Sequence, residues 1–520
     1  MTWLPGKTGW QWERLNIGKK ENSEMTSFHS TLSRRDFMKS LGVVGAGLGT
    51  MSAAAPVFHD LDEVTSSAIG INKNPWWVKE RDFKNPTVPM DWPKITRNIG
   101  TFKTLPRPTV ADFEKAGVIG GTSTDLETPE MALTLYDAMA KEFPGWTPGY
   151  AGMGDVRTTS LCNASKFMMM GVWPGNMEMG GKRVNVIGAI MAAGGSPTFT
   201  PWLGPQLDTT TRPQDFGAPV WQGTPEENLK TCRTAIRFFG GSDVAALELD
   251  DDILKFIHSQ IGGKDVVVED VDEAYETATK MVIPRKCKWV LMWSARQSLE
   301  GTRRQAGITE NFSVWYSYSR FPKVGAQFQE FIRGLGYQAL NPGMKGYLTT
   351  PLAVFSGMGE HGRMSSPTIT PKYGVTNRAM WALITDLPLL PTPPIDFGAY
   401  KFCKTCGICA DACPFGLIQQ GDPTWENPAS AKSGIQQGTF EGWRTNTADC
   451  PHCPTCQGTC PFNSKPDSFI HAVVKGTVAN TPLLNSFFTN MEKAMDYGRK
   501  DPEEFWDLDN DFTYGIDTSY

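Results

Sequence analysis

The sequence predicts a chain of several structural units, in which a large upstream domain is followed by a small cysteine-rich cluster domain near the C-terminus. Three observations carry this. Its 520 residues exceed what one hydrophobic core usually serves, giving about two to four units. Eight of the 11 cysteines fall between Cys403 and Cys460. The stiff, extended stretch Leu387-Pro388-Leu389-Leu390-Pro391-Thr392-Pro393-Pro394 stands immediately before them and reads as a boundary. At 40% hydrophobic and 20% charged residues the chain is no disordered polymer. Its net charge of −5 creates no global field for nucleic acid or an anionic membrane. No window holds the eighteen or so consecutive apolar residues that span a bilayer, so a soluble mature protein is expected.

Taken in chain order, Ser33-Arg34-Arg35-Asp36-Phe37-Met38-Lys39 precedes a short glycine-rich apolar run, Leu41 to Gly49, ending in Ala53-Ala54-Ala55-Pro56. This reads as a twin-arginine export signal over residues 1–54, with Met25 as an alternative start. That route carries folded proteins, which suits a cofactor loaded in the reducing cytoplasm. Residues 1–54 hold seven Lys/Arg and four Asp/Glu, so their removal takes the charge from −5 to −8. Residues 55–150 read as an irregular unit rich in Trp, Pro and Asn, with few periodic stretches.

Residues 151–395 form the large domain. Glu248, Asp250, Asp251 and Asp252 read as a solvated helix start, since carboxylates favour helix N-termini. Tyr316-Ser317-Tyr318-Ser319-Arg320 alternates aromatic and small polar residues, which suits an extended or turning segment lining a pocket, with Tyr316 and Tyr318 on one side. Gln327 to Leu340 spaces Phe328, Phe331, Ile332 and Leu335 as a packed helix. Ser356 to Met364 contains Gly357, Gly359 and Gly362, which could admit close backbone approach to a bulky ligand. Cys162, Cys232 and Cys287 read as buried thiols.

Residues 396–475 carry the strongest signal. Cys403-x-x-Cys406-x-x-Cys409-x-x-x-Cys413-Pro414 is followed by Cys450-x-x-Cys453-x-x-Cys456-x-x-x-Cys460-Pro461, two copies of the bacterial ferredoxin run. Two-residue gaps wrap three thiolates round one cubane corner, and the fourth reaches the neighbouring cluster. The first 4Fe-4S cluster therefore takes Cys403, Cys406, Cys409 and Cys460, and the second takes Cys450, Cys453, Cys456 and Cys413. Zinc sites pair Cys-x-x-Cys units too, but they do not require this triple-then-fourth spacing. Gly421 to Asp449 reads as a surface excursion, and His452 as a neighbour rather than a ligand. Residues 476–520 remain as a C-terminal extension.

Taken together, these blocks resemble the corrinoid-dependent reductive dehalogenases of organohalide-respiring bacteria over nearly the whole chain. The leader, Tyr318-Ser319-Arg320, Thr370 to Arg378, Pro394-Ile395-Asp396-Phe397-Gly398 and Asn485 to Glu492 each look like a block of that family, in order. The resemblance implies an α+β, nitroreductase-like corrinoid-binding core ahead of the ferredoxin-type domain, with no lower protein ligand on cobalt. It implies electrons passing through the cubanes to a cobalamin-type cofactor, Tyr318 as proton donor and Arg378 as its cationic partner. A phenol of pKa about 10 is an adequate acid only if its anion is stabilised, which an adjacent guanidinium does. A strict count from the family pattern places a third site residue at Met344, with Asn341 nearby, and leaves His361 structural or corrinoid-contacting.

The family also implies a halogenated substrate, a chlorinated ethene or aromatic. It further implies a small hydrophobic membrane-anchor subunit, a membrane-associated electron donor, and a place on the outer face of the cytoplasmic membrane. Two other readings compete. An epoxyqueuosine reductase-like tRNA-modifying enzyme needs a basic surface and no leader. A non-catalytic exported iron-sulfur electron-transfer subunit needs no corrinoid.

Overall fold

The structure, a computed structural model, describes residues 74–98, 129–144, 177–179, 182–184, 198–200, 202–206, 213–216, 220–304, 312–343, 346–426, 438–446, 449–450, 453–464, 469–495 and 498–507. All of these belong to one compact unit, Ala68–Tyr520. The export leader, Cys162, Met344 and His452 lie outside the described residues.

At the centre stands a four-stranded antiparallel sheet built from β2 (Val244–Glu248), β3 (Trp289–Arg296), β4 (Ala339–Leu340) and β5 (Asn377–Thr385), in the order β4-β5-β3-β2. Its strands are apolar on both faces, so both must be covered. Leu291, Trp293 and Ala295 of β3 face one core with Trp381 and Leu383 of β5, whereas Val290 and Met292 face another with Ala382 and Ile384. The first core is closed by α2 (Pro225–Phe239) and α3 (Phe312–Gly334). The second is closed by Phe256, Tyr347 and α4 (Thr349–Phe355). A separate three-stranded sheet, Gln260–Ile261, Lys264–Glu269 and Lys280–Pro284, lies between β2 and β3 in the chain.

Local chemistry explains the helix ends. Thr224 and Glu227 form a capping box at the start of α2, Pro225 occupies its first turn, and Gly240 ends it at φ 101°. Asp250 caps the short helix Asp251–Leu254 through the amides of Asp252 and Ile253, so the acidic cluster is a helix start as expected. Cys232 and Cys287 are buried thiols.

Four expectations need correction. Tyr316 to Arg320 is helical, not extended, because α3 begins at Phe312 rather than Gln327. Pro322 and Gly325 stand inside α3 and disfavour a helix by about 3 and 1 kcal/mol. Phe321, Val324, Phe328 and Ile332 bury a continuous stripe against the sheet at roughly 1.5–3 kcal/mol each, and the stripe wins. Tyr316 and Tyr318 consequently point to different sides of the helix. The glycines of Ser356 to Met364 serve internal packing, because a Cβ would strike the Pro393 carbonyl at Gly357, the Ile369 carbonyl at Gly359 and the Ile369 side chain at Gly362. The interval Gly421 to Asp449 is not wholly a surface excursion, since Trp443 is fully buried and Arg444 nearly so. The N-terminal region also contains a regular helix, α1 (Pro129–Glu142).

The C-terminal part packs round the cysteines. Cys403 and Cys406 lie on α5 (Ala399–Cys406), Cys409 on α6 (Ile408–Asp411) and Cys456 on α7 (Thr455–Gly458). Helices α8 (Phe469–Asn480) and α9 (Asn485–Met495) cover α5. An early strand, β1 (Lys79–Glu80), pairs with β6 (Ile395–Asp396), just before α5. The proline-rich stretch is itself packed: Leu387 and Leu389 are buried, and the Thr392 hydroxyl donates to the Ser356 carbonyl at 2.7 Å. Among the described residues no helix is long and apolar enough to cross a membrane.

Candidate active site

Helix α3 and strand β5 bring Tyr318 and Arg378 together. Ser317 fixes this part of α3 by donating to the Arg296 carbonyl of β3 at 3.1 Å. The Arg378 guanidinium carbon lies 5.4 Å from the centroid of the Tyr318 ring. The same ring meets Trp381 edge-on at 6.4 Å and Trp315 at 6.0 Å. Tyr318 and Arg378 line one pocket, with Tyr347, Asn377 and Trp381. Thr349 and Thr350 open α4 on another wall, and Ser366, Pro367 and Thr368 close a third. The Arg378 Nε and the Thr368 hydroxyl are buried there with no hydrogen-bond partner among the described residues. Buried donors of this kind call for an acceptor that the protein does not provide.

A second pocket is lined by Cys403, Cys406, Cys409 and Cys460 with Arg363, Met364 and Ile369. The fourth cysteine of the second run thus joins the first three of the first run. Cys456 has Cys453, Cys450 and Cys413 as electrostatic neighbours, and Cys409 as well, so the two groups adjoin. Burial pushes the Cys403 thiol up to about 12 and that of Cys406 to about 11, so cluster binding must displace their protons. Among the described residues no three His, Cys, Asp or Glu side chains gather tightly enough for a single ion. Four thiols round an open space fit a cubane better than a lone zinc.

The two cavities share a wall. Along the strap Arg363 to Ile369, Ser366, Pro367 and Thr368 face the tyrosine chamber, while Arg363, Met364 and Ile369 face the cysteines. A few residues therefore separate a four-thiol pocket from a chamber holding a phenol, a guanidinium and unsatisfied donors.

The family model described as reductive dehalogenase subunit matches residues 73–389, and that for a 4Fe-4S dicluster domain matches residues 402–464. The chain belongs to the reductive dehalogenases. The dehalogenase is 36% identical to a chloroethene reductive dehalogenase of Dehalococcoides mccartyi, over 95% of this chain and 99% of that one. It is 31% identical to a trichloroethene reductive dehalogenase from another strain of that organism, over 93% and 98% of the two chains. Its fold is similar to that of a catabolic reductive dehalogenase solved with 3-bromo-4-hydroxybenzoic acid. That match has a TM-score of 0.51 and 17% identity, over 84% of this chain and 52% of the other. The dehalogenase thus spans about half the length of that solved chain. It is an enzyme, the catalytic subunit of a reductive dehalogenase, with a mixed α/β fold and a C-terminal 4Fe-4S domain.

Tyr316, Asn341 and His361, each weighed from the sequence, lie outside the chamber lining of the dehalogenase. Tyr316 is absent from the chamber lining and carries the Arg320 guanidinium at 4.8 Å from its ring. Asn341 is also outside the lining, buried, with its side-chain oxygen accepting from the Gly343 amide at 2.8 Å. His361 packs edge-on against Phe440 at 5.4 Å, and burial together with the Arg444 charge lowers it to about 4. The sequence missed Tyr347, which no motif marks. Its oxygen accepts the Ala382 amide of β5 at 3.0 Å, which leaves its own proton for the chamber, and burial holds that phenol well above its ordinary value. Tyr347→Phe is expected to lower kcat about tenfold with little change in KM, measured in steady-state turnover, because it removes one donor from the wall facing Tyr318.

Glu360 anchors the strap. Its carboxylate accepts the amides of Phe397, Ala399 and Tyr400 at 2.7, 3.1 and 3.2 Å at the head of α5, and its backbone pairs with Ile369. Burial, then the nearby Asp396 charge, outweighs these amides and raises Glu360 from 4.5 to about 7. The folded dehalogenase therefore holds a proton that the unfolded chain has lost between these values, so this group's contribution falls as pH rises from 4.5 through about 7. In Glu360→Gln, melting temperature should decline less between pH 5 and 7 than in the wild type. An unchanged slope would remove Glu360 as its source.

Proposed function

We propose that this dehalogenase uses a corrinoid and two 4Fe-4S clusters to replace halogen by hydrogen on a chlorinated ethene, as terminal electron acceptor in anaerobic respiration. The shared strap carries the reading, because it sets the four-thiol pocket directly against the chamber of Tyr318 and Arg378. The Thr368 hydroxyl and Arg378 Nε fit the amide-bearing rim of a corrinoid or a bound anion. The central sheet is assigned to a nitroreductase-like core. Cys403, Cys406, Cys409 and Cys460 hold the first cluster, and Cys450, Cys453, Cys456 and Cys413 the second.

When bound, the corrinoid supplies the low-potential cobalt that delivers two electrons to the carbon–halogen bond. The rest of the balance is one proton gained by carbon and one halide released. Tyr318 donates that proton from its hydroxyl. Arg378, against the ring, stabilises the tyrosinate and offers its Nε to the departing halide. Trp381 and Trp315 hold the ring in place, and Trp381, which lines the chamber, presents apolar surface to a substrate without polar groups.

Chlorinated ethenes are preferred over aromatics because the two relatives matched over nearly their whole lengths carry chloroethene and trichloroethene in their names. The reading keeps the five segments given above as domains, with export by residues 1–54, attachment at the outer face of the membrane through a small anchor subunit, and a membrane-associated electron donor. Anaerobic reconstitution with corrinoid, iron and sulfide, followed by a substrate panel assayed for free halide, tests it. Chloride should appear faster from chlorinated ethenes than from chlorinated phenols or benzoates, and the reverse order would overturn the substrate assignment.

A further inference from the structure

Arg363 is 3% exposed, and backbone carbonyls alone satisfy it. Its Nε and Nη2 donate to the Cys403 carbonyl at 3.2 and 2.7 Å, and Nη2 reaches that of Lys404 at 3.4 Å. Its Nη1 donates to the carbonyls of Gln419 and Gly421 at 3.0 and 2.8 Å. The guanidinium carbon lies 4.9 Å from the Trp443 ring centroid. Among the described residues no carboxylate forms an ion pair with it. Carbonyls satisfy donors but do not neutralise charge, and an unmatched buried cation is costly. Yet Arg363 lines the pocket of Cys403, Cys406, Cys409 and Cys460.

The surroundings differ at the other cysteine group. Arg499, near Cys453, donates to the Thr455 hydroxyl at 3.0 Å and pairs with the Glu142 carboxylate at 3.4 Å, so its charge is matched. Lys475, near Cys460, donates to the Pro371 carbonyl at 3.0 Å and is absent from the lining of the cysteine pocket, where Arg363 stands.

We infer that Arg363 is the fixed counter-charge of the cluster held by Cys403, Cys406, Cys409 and Cys460, favouring its reduced state and setting the two clusters apart in potential. The inference rests on the ligand sets proposed above. Reduction moves one electron from the second cluster to the first with no proton, so the first gains one negative charge beside a permanent positive one. Charge and hydrogen bonding near the sulfurs are recognised determinants of cluster potential.

The test is an electron paramagnetic resonance redox titration of the full chain, anaerobically matured, poised with titanium(III) citrate. Wild type should show two couples. In Arg363→Gln one couple should shift to lower potential while the other stays, with iron content unchanged. Arg363→Lys, which keeps the charge but loses the carbonyl clamp, should stay near the wild type. Both couples unmoved in Arg363→Gln, both moved equally, or Arg363→Lys shifted downward as far as Arg363→Gln would overturn the inference. If Arg363→Gln does not retain iron, Arg363→Lys decides alone: a wild-type potential supports the charge, and a lowered potential or lost cluster refutes it. A wild type with fewer than two clusters, or Cys403→Ala retaining both, counts instead against the ligand sets.

Discussion

Tyr318→Phe lowers turnover by roughly 10²- to 10⁴-fold while iron content, corrinoid content and KM stay near those of the wild type. Phenylalanine preserves the ring that packs against Trp381 and Trp315 and under Arg378, so the chamber keeps its shape. Only the hydroxyl is lost, and with it, in the role proposed for Tyr318, the proton that carbon receives as halide leaves. That loss corresponds to about 2.7–5.5 kcal/mol of transition-state stabilisation, several times a typical neutral hydrogen bond. A structural tyrosine would behave otherwise, costing stability rather than turnover. Tyr316→Phe is the internal control and should remain within about threefold of the wild type, because Tyr316 lies outside the chamber lining. Full activity in Tyr318→Phe would falsify its assignment as the proton donor.

Cys460→Ala and Cys406→Ala remove the same cluster although they belong to different runs. Both thiols line the single pocket beside Arg363, with Cys403 and Cys409. Each variant should lose about half the iron and one of the two reduced-cluster signals, and dehalogenation should fall below detection because the electron path ends short of the chamber. Cys413→Ala should remove the other signal, since Cys413 neighbours Cys453 and Cys456. Loss of one cluster in Cys406→Ala and the other in Cys460→Ala would show that each run binds its own cluster, contrary to the crossed sets.

How much was legible depended on whether the chemistry was local. Thiolate spacing is a short-range constraint readable from the two runs, and one pocket is lined by Cys403, Cys406, Cys409 and Cys460. Tyr318 and Arg378, 60 residues apart, were paired only by family resemblance, and helix α3 and strand β5 do bring them together. The helix holding Tyr318 was invisible because Pro322 and Gly325 interrupt its propensity, and only the stripe from Phe321 to Ile332, set against a distant sheet, overrides them. Tyr347 had no signal at all, because its role comes from the Ala382 amide on another strand. Trp443 and Arg444 show the opposite case: a polar, glycine-rich interval reads as surface, yet these two residues are buried beside the strap, where Ser365 donates to the Trp443 carbonyl at 2.9 Å.

Metal analysis of the anaerobically matured full chain decides whether paired cubanes adjoin a corrinoid chamber. About eight iron, a matching amount of acid-labile sulfide and about one cobalt per chain are expected, with cobalt retained through gel filtration. Zinc in place of iron, or cobalt that washes off completely, would rule out this pairing of cubanes and corrinoid.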